Sequence, residues 1–138
     1  ILENRKLGDD HVAELSNLEV LSEVISLDLG ENNISDSGLH TLVNSPYIKN
    51  LKTLNLKSNN ITEEGAKFIA ESSKLKDLEH LILKFNRIGE AGANYLAQSE
   101  TLTNLRTLDL FRNRIGDAGV KVIKKSKNFR GVSRMRLD

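Results

Sequence analysis

Residues 78–92 read Leu78-Glu79-His80-Leu81-Ile82-Leu83-Lys84-Phe85-Asn86-Arg87-Ile88-Gly89-Glu90-Ala91-Gly92. Two periodicities meet in this stretch. Leu81 and Leu83 have the two-residue spacing of a strand that buries one face. Beyond Gly92 the apolar residues Ala93, Leu96 and Ala97 take helical spacing instead. A strand and a short helix joined this closely cannot cover both apolar faces by themselves. The segment therefore has to stack on neighbours built like it.

The neighbours are present at a step of 27 residues. That step links Leu27, Leu54, Leu81 and Leu108, and also Leu29, Leu56, Leu83 and Leu110. It links the asparagines Asn32, Asn59, Asn86 and Asn113, the isoleucines Ile34, Ile61, Ile88 and Ile115, and the glycines Gly38, Gly65, Gly92 and Gly119. Ser45, Ser72, Ser99 and Ser126 keep the same register. A fixed period of this length is the signature of a solenoid, in which each unit buries its leucines against the next.

Local chemistry agrees with that reading. Thr62 and Asp36 are expected helix caps, and Glu63, Glu64, Glu90 and Asp117 suit the first turn of a helix, where carboxylates meet the positive end of the dipole. The helices are expected to run for about nine to twelve residues, too short to be stable alone. Strands stack about 4.8 Å apart whereas helices are about 10 Å wide. The mismatch bends the stack, with a parallel sheet on the concave side and helices on the convex side. The asparagine column falls where the chain leaves each strand, and its amide can satisfy backbone groups freed at the bend.

The unit L-x-x-L-x-L-x-x-N-x-I-x-x-x-G, with the following Gly-Ala-x-x-Leu-Ala of residues 92–97, resembles the leucine-rich repeat of the ribonuclease-inhibitor-like subclass. The likeness spans roughly residues 7–137. It implies an α/β right-handed solenoid with a parallel concave sheet and convex helices. It also implies a protein-interaction function, since such repeats form sensing or targeting regions in innate-immune receptors, GTPase regulators and bacterial effectors. The chain departs from the mammalian inhibitor in its uniform step, its lack of cysteine and its fewer units, which argues against the same ligand.

Residues 1–138 read as a single repeat domain: a degenerate unit 1–23, repeats near 24–50, 51–77, 78–104 and 105–131, and a terminal strand 132–138. In the first unit Leu2 and Leu7 keep their columns while Arg5 replaces Asn and His11 replaces Gly. Val132, Met135 and Leu137 continue the strand columns at the other end. A strand with no helix behind it leaves an open edge. The expectation is a fragment of a longer array, with self-association through open solenoid ends as the alternative.

Catalytic chemistry has no candidate residues. P-loop, dinucleotide-binding, metalloprotease, nucleophile-elbow and EF-hand patterns are all missing. His11, His40 and His80 fall in different columns, so they form no metal-ligand set, and no cofactor is expected. The chain has no cysteine, which excludes disulfides and thiolate chemistry. That favours a cytoplasmic setting and is compatible with a secreted effector. No apolar run approaches the roughly 20 residues of a membrane span.

The strand residues that alternate with the buried leucines face the concave surface. Most are polar. Ile82, Phe85 and Phe111 are large, apolar and in adjacent repeats, and nothing in the fold requires them, which marks them as an expected interface. Lys57, Lys84, Arg87, Arg112 and Arg114 border the cluster, and arginine with aromatic residues dominates many binding surfaces. The alternative reading folds Phe85 and Phe111 back against the loop after the strand.

Charge is unevenly spread. Residues 1–69 hold 6 Lys or Arg against 11 Asp or Glu, whereas residues 70–138 hold 14 against 8. The expected partner is a protein with an acidic surface. Nucleic acid is disfavoured because interleaved aromatic platforms are missing. A GTPase-activating role, with Arg87 or Arg114 as the acting arginine, is the second functional reading.

Overall fold

The computed structural model describes residues 1–138. Five three-residue strands form one parallel sheet in sequence order: β1 (Ser26–Asp28), β2 (Thr53–Asn55), β3 (His80–Ile82), β4 (Thr107–Asp109) and β5 (Arg134–Arg136). The register follows the repeat, with Leu27 opposite Leu54, Leu54 opposite Leu81, Leu81 opposite Leu108, and Leu108 opposite Met135. Five helices lie across the core from the sheet: α1 (Asp9–Ser16), α2 (Asp36–Val43), α3 (Glu63–Glu71), α4 (Gly89–Ala97) and α5 (Gly116–Lys125). Their lengths are 8 to 10 residues, so α1 and α2 are one residue shorter than the periodicity suggests and the others lie at the short end of its range. The fold is an α/β solenoid whose sheet lines the concave side.

The leucine columns, the isoleucine column and the helical Ala and Leu positions merge into one apolar core that runs the length of the stack. The degenerate first unit joins it. The Leu2 amide donates to the Asp28 carbonyl at 2.8 Å in the register that Leu29 uses toward Asn55 at 2.9 Å. Val132, Met135 and Leu137 pack on the core from the far end but stay only half-buried.

The asparagine column is a ladder of hydrogen bonds. Asn86 Nδ2 donates to the Leu83 carbonyl of its own strand at 2.9 Å and to the Leu56 carbonyl of the preceding repeat at 2.9 Å. Its Oδ1 accepts from the Ile61 amide at 3.0 Å. Asn32, Asn59 and Asn113 repeat the pattern, accepting from Leu7, Ile34 and Ile88 respectively. The serine column forms a second ladder on the helix side: Ser72 donates to Val43, Ser99 to Ala70 and Ser126 to Ala97, each to the carbonyl 29 residues earlier. No buried side-chain nitrogen or oxygen is left without a partner.

Asp36 corrects an expectation. The N-cap of α2 is Ser35, and the Asp36 carboxylate reaches instead into the next repeat, where it accepts from the Thr62 amide at 2.8 Å and from the Thr62 hydroxyl. Asp9 does the same to Ser35. Thr62 does cap its own helix, accepting from Glu64 at 3.4 Å. Gly89 and Gly116 occupy the corresponding positions in the later repeats with φ of +67° and +68°, so those helices begin through backbone freedom rather than a side-chain cap.

Candidate partner-binding groove

The groove is built where the chain leaves the strands. The residue just before each ladder asparagine takes a left-handed conformation: Glu31, Ser58, Phe85 and Arg112 have φ between 54° and 60°. A non-glycine residue there costs about 1 kcal/mol, accepted because the ladder bonds hold the bend. The left-handed turn aims the side chain of that position outward. In the third repeat this position is Phe85, which is 48% exposed.

Phe111 belongs to the neighbouring strand column and lies half-buried beside it. The two rings meet edge to face, with centroids 5.9 Å apart and an interplanar angle of 81°. The rings pack on each other and stand outside the main core. Arg136 sits over the Phe111 ring at 4.6 Å and Arg112 at 5.2 Å, both within cation–π range. Asp109 steadies this corner: its Oδ1 accepts from the Phe111 amide at 3.1 Å, and its Oδ2 lies 4.0 Å from Arg136.

Around the rings opens a groove of about 650 Å³ lined by Phe85, Phe111, Arg87, Arg112 and Arg114, with Asn59, Asn60, Asn86 and Asp138. Five of the eight residues singled out on the sequence therefore share one groove. None of its three rim arginines is ion-paired; the salt bridges of the molecule involve Lys52, Lys57, Arg106 and Arg136. The Asp138 carboxylate is engaged by the Asn113 and Ile115 amides at 3.2 and 3.0 Å.

Three of the singled-out residues stand apart from the groove. Lys57 is drawn to the acidic end, where its Nζ pairs with Glu3 and, at 3.4 Å, with Glu31. The hydrogen bond to Glu3, more than any other influence, holds the Lys57 ammonium above the ordinary lysine range. Gly30 makes room for this pair, since a Cβ there would stand 2.9 Å from Lys57 Cγ. Ile82 is half-buried in the sheet register between Asn55 and Asp109 and does not line the groove. Lys84 occupies the column between Lys57 and Phe111 without an ion pair.

Ile82 nevertheless changes the surface. In its column, Asp28, Asn55 and Asp109 each accept the amide two residues on, from Gly30, Lys57 and Phe111. An isoleucine cannot accept, and the Lys84 amide donates to no group of the protein. Sequence reasoning missed Arg136 as a member of the cluster. Its column gave the signal, because a long side chain there reaches the diagonal neighbour one repeat back.

The remaining polar clusters are structural. His80 Nδ1 bonds Thr107 Oγ1 at 2.9 Å, His40 packs on Phe68 with centroids 4.4 Å apart, and His11 Nδ1 accepts from the Gly8 amide. No group of three or more His, Asp or Glu is placed to hold a metal ion. No helix is long and apolar enough to cross a membrane.

A profile described as Leucine Rich repeat matches residues 24–43, 47–70, 74–97 and 101–124. No curated protein sequence matches the chain. Among solved structures the chain is similar to an internalin from Listeria monocytogenes, strain 4b F2365, with a TM-score of 0.50 and 22% identity. The similarity covers 91% of this chain and 37% of the internalin, so this chain spans little more than a third of that protein's length. At that identity the likeness speaks for the fold alone.

Proposed function

The chain belongs to the leucine-rich repeat family, and from that premise we propose that it is a protein-recognition module whose contact surface is the Phe85–Phe111 groove and the adjoining concave sheet. The observation that carries this reading is the edge-to-face ring pair, with Phe85 exposed, in a groove that also holds the unpaired Arg87, Arg112 and Arg114. An exposed phenylalanine held in a left-handed backbone contributes nothing to the core and costs conformational energy. Aromatic and arginine side chains grouped in this way are the usual anchors of protein interfaces. The family's repeats are generally interaction modules, and no catalytic constellation accompanies them here.

The ribonuclease-inhibitor-like subclass is part of the same proposal, supported by α-helices rather than single turns on the convex side and by the 27-residue step. The partner surface is proposed to be acidic, complementing the basic second half of the chain.

Affinity capture with the intact chain, repeated with Phe85→Ala plus Phe111→Ala, tests the reading. A protein retained by the native chain and released by the double variant is the expected result. Retention by both, with unchanged melting temperatures, would place the contact surface elsewhere.

A further inference from the structure

Resting on the recognition-module reading, we infer that the groove takes a linear acidic peptide segment, in which carboxylates flank one large apolar side chain. The arginines set the first requirement. Arg87 and Arg114 occupy the same column of successive repeats and line one groove with Arg112. None of the three forms an ion pair, and the one carboxylate in the lining, Asp138, is engaged by the Asn113 and Ile115 amides. Three unpaired cations along one groove favour a ligand that brings carboxylates.

The rings set the second requirement and exclude a competitor. A nucleic-acid strand would need open aromatic faces for its bases. Phe111 has two guanidinium groups within 5.2 Å of its centroid, and its edge contact with Phe85 takes up more of its surface. Phe85, 48% exposed, is left as a single open ring, not the row of aromatic faces that stacked bases need.

The rim sets the third. Asn60, which lines the groove, donates its side-chain amide to Asn33, and its own carbonyl oxygen is left to accept from a peptide N–H. The groove, of about 650 Å³, is an open one rather than an enclosed cavity.

A random linear dodecapeptide display library selected on the full chain provides the test, with counter-selection on the Arg87→Gln/Arg114→Gln variant. Enriched peptides are expected to carry Asp or Glu on both sides of Leu, Ile, Phe or Met. A synthetic peptide of the enriched sequence should lose about tenfold in affinity when its acids become amides, and as much on the arginine variant. Its binding should weaken steeply with salt. Phe85→Asn should also weaken it while preserving the melting temperature, because asparagine accepts the left-handed backbone at that position.

Enrichment of neutral or basic peptides would overturn the inference. So would equal competition by polyglutamate or by a single-stranded oligonucleotide, or an enrichment that survives on the arginine variant. Neutral peptides that still depend on Phe85 would leave the recognition-module reading standing. Failure to enrich any peptide, together with capture of a protein insensitive to Phe85 and Phe111, would remove both.

Discussion

Asn86 makes four hydrogen bonds from a side chain of four heavy atoms, three short ones that close different parts of the bend and a longer one to the Lys84 carbonyl at 3.5 Å. Two of its acceptors are carbonyls of successive strands, and its own oxygen receives the Ile61 amide. Removing it leaves buried backbone groups unpaired, at about 1–3 kcal/mol for each donor or acceptor stranded. Asn86→Ala is therefore expected to lower stability by about 3 kcal/mol or more in urea unfolding, whereas exposed Asn60→Ala should stay within about 0.5 kcal/mol. A loss below that of Asn60→Ala would show that water re-enters and satisfies the ladder. The role of this column was legible in the sequence because an amide both donates and accepts, and few other reasons fit its position at a strand exit. The serine ladder was visible as a column yet carried no such reading, since a hydroxyl with this spacing has many uses. Only the position of the carbonyl 29 residues earlier shows which one it serves.

Elements begin and meet in two ways along this chain. In the first half, an aspartate at the start of one helix clamps the Ser or Thr cap of the next, as Asp36 does to Thr62. In the second half glycine replaces the cap residue, and Gly89 donates its amide to the Asn113 carbonyl at 2.9 Å. Asp36→Ala should thus cost about 1–2 kcal/mol. Its counterpart one repeat on, Glu63→Ala, should cost little, because no Ser or Thr waits there to be clamped. Equal costs would mean that both act only through the helix dipole. The glycine column inside the helices answers to packing: a Cβ at Gly92 would lie 2.4 Å from the Ile88 methyl and 3.2 Å from Ala66 Cβ. Gly92→Ala gains about 1 kcal/mol of helix propensity and loses about 1–3 kcal/mol to crowding, so its melting temperature should fall. Strand and helix positions were readable from the leucine periodicity. The partner of Asp36 was not, because the clamp spans 26 residues and local rules favour a cap on the residue's own helix.

At the scale of the whole molecule, charge joins repeats that are already coupled by the core and the hydrogen-bond ladders. Lys52, Glu79 and Arg106 occupy one column of three successive repeats and alternate in sign, with Lys52 Nζ 3.1 Å and Arg106 Nε 3.9 Å from Glu79 oxygens. The Lys52 hydrogen bond is the main reason the Glu79 carboxyl is held below the ordinary glutamate range. Near the first unit, Glu3 chiefly, with Glu31, holds Lys57 above the ordinary lysine range. The two shifts have opposite consequences. A depressed carboxyl contributes stability that is complete above its unfolded-state value and disappears as pH falls through the folded one. A raised ammonium contributes stability that is complete below its unfolded-state value and disappears as pH rises through the folded one. Both contributions are thus present together from above the ordinary glutamate range to below the ordinary lysine range. Both pairs are partly open to solvent, so each is modest and weakens with salt. Melting temperature followed against pH should show Glu79→Gln lowering stability on the plateau and converging on the native chain in acid. Lys57→Met should converge with the native chain only in strong base. A Glu79→Gln curve that runs parallel to the native one through the acid limb would mean that the alternating column contributes nothing to holding the repeats together.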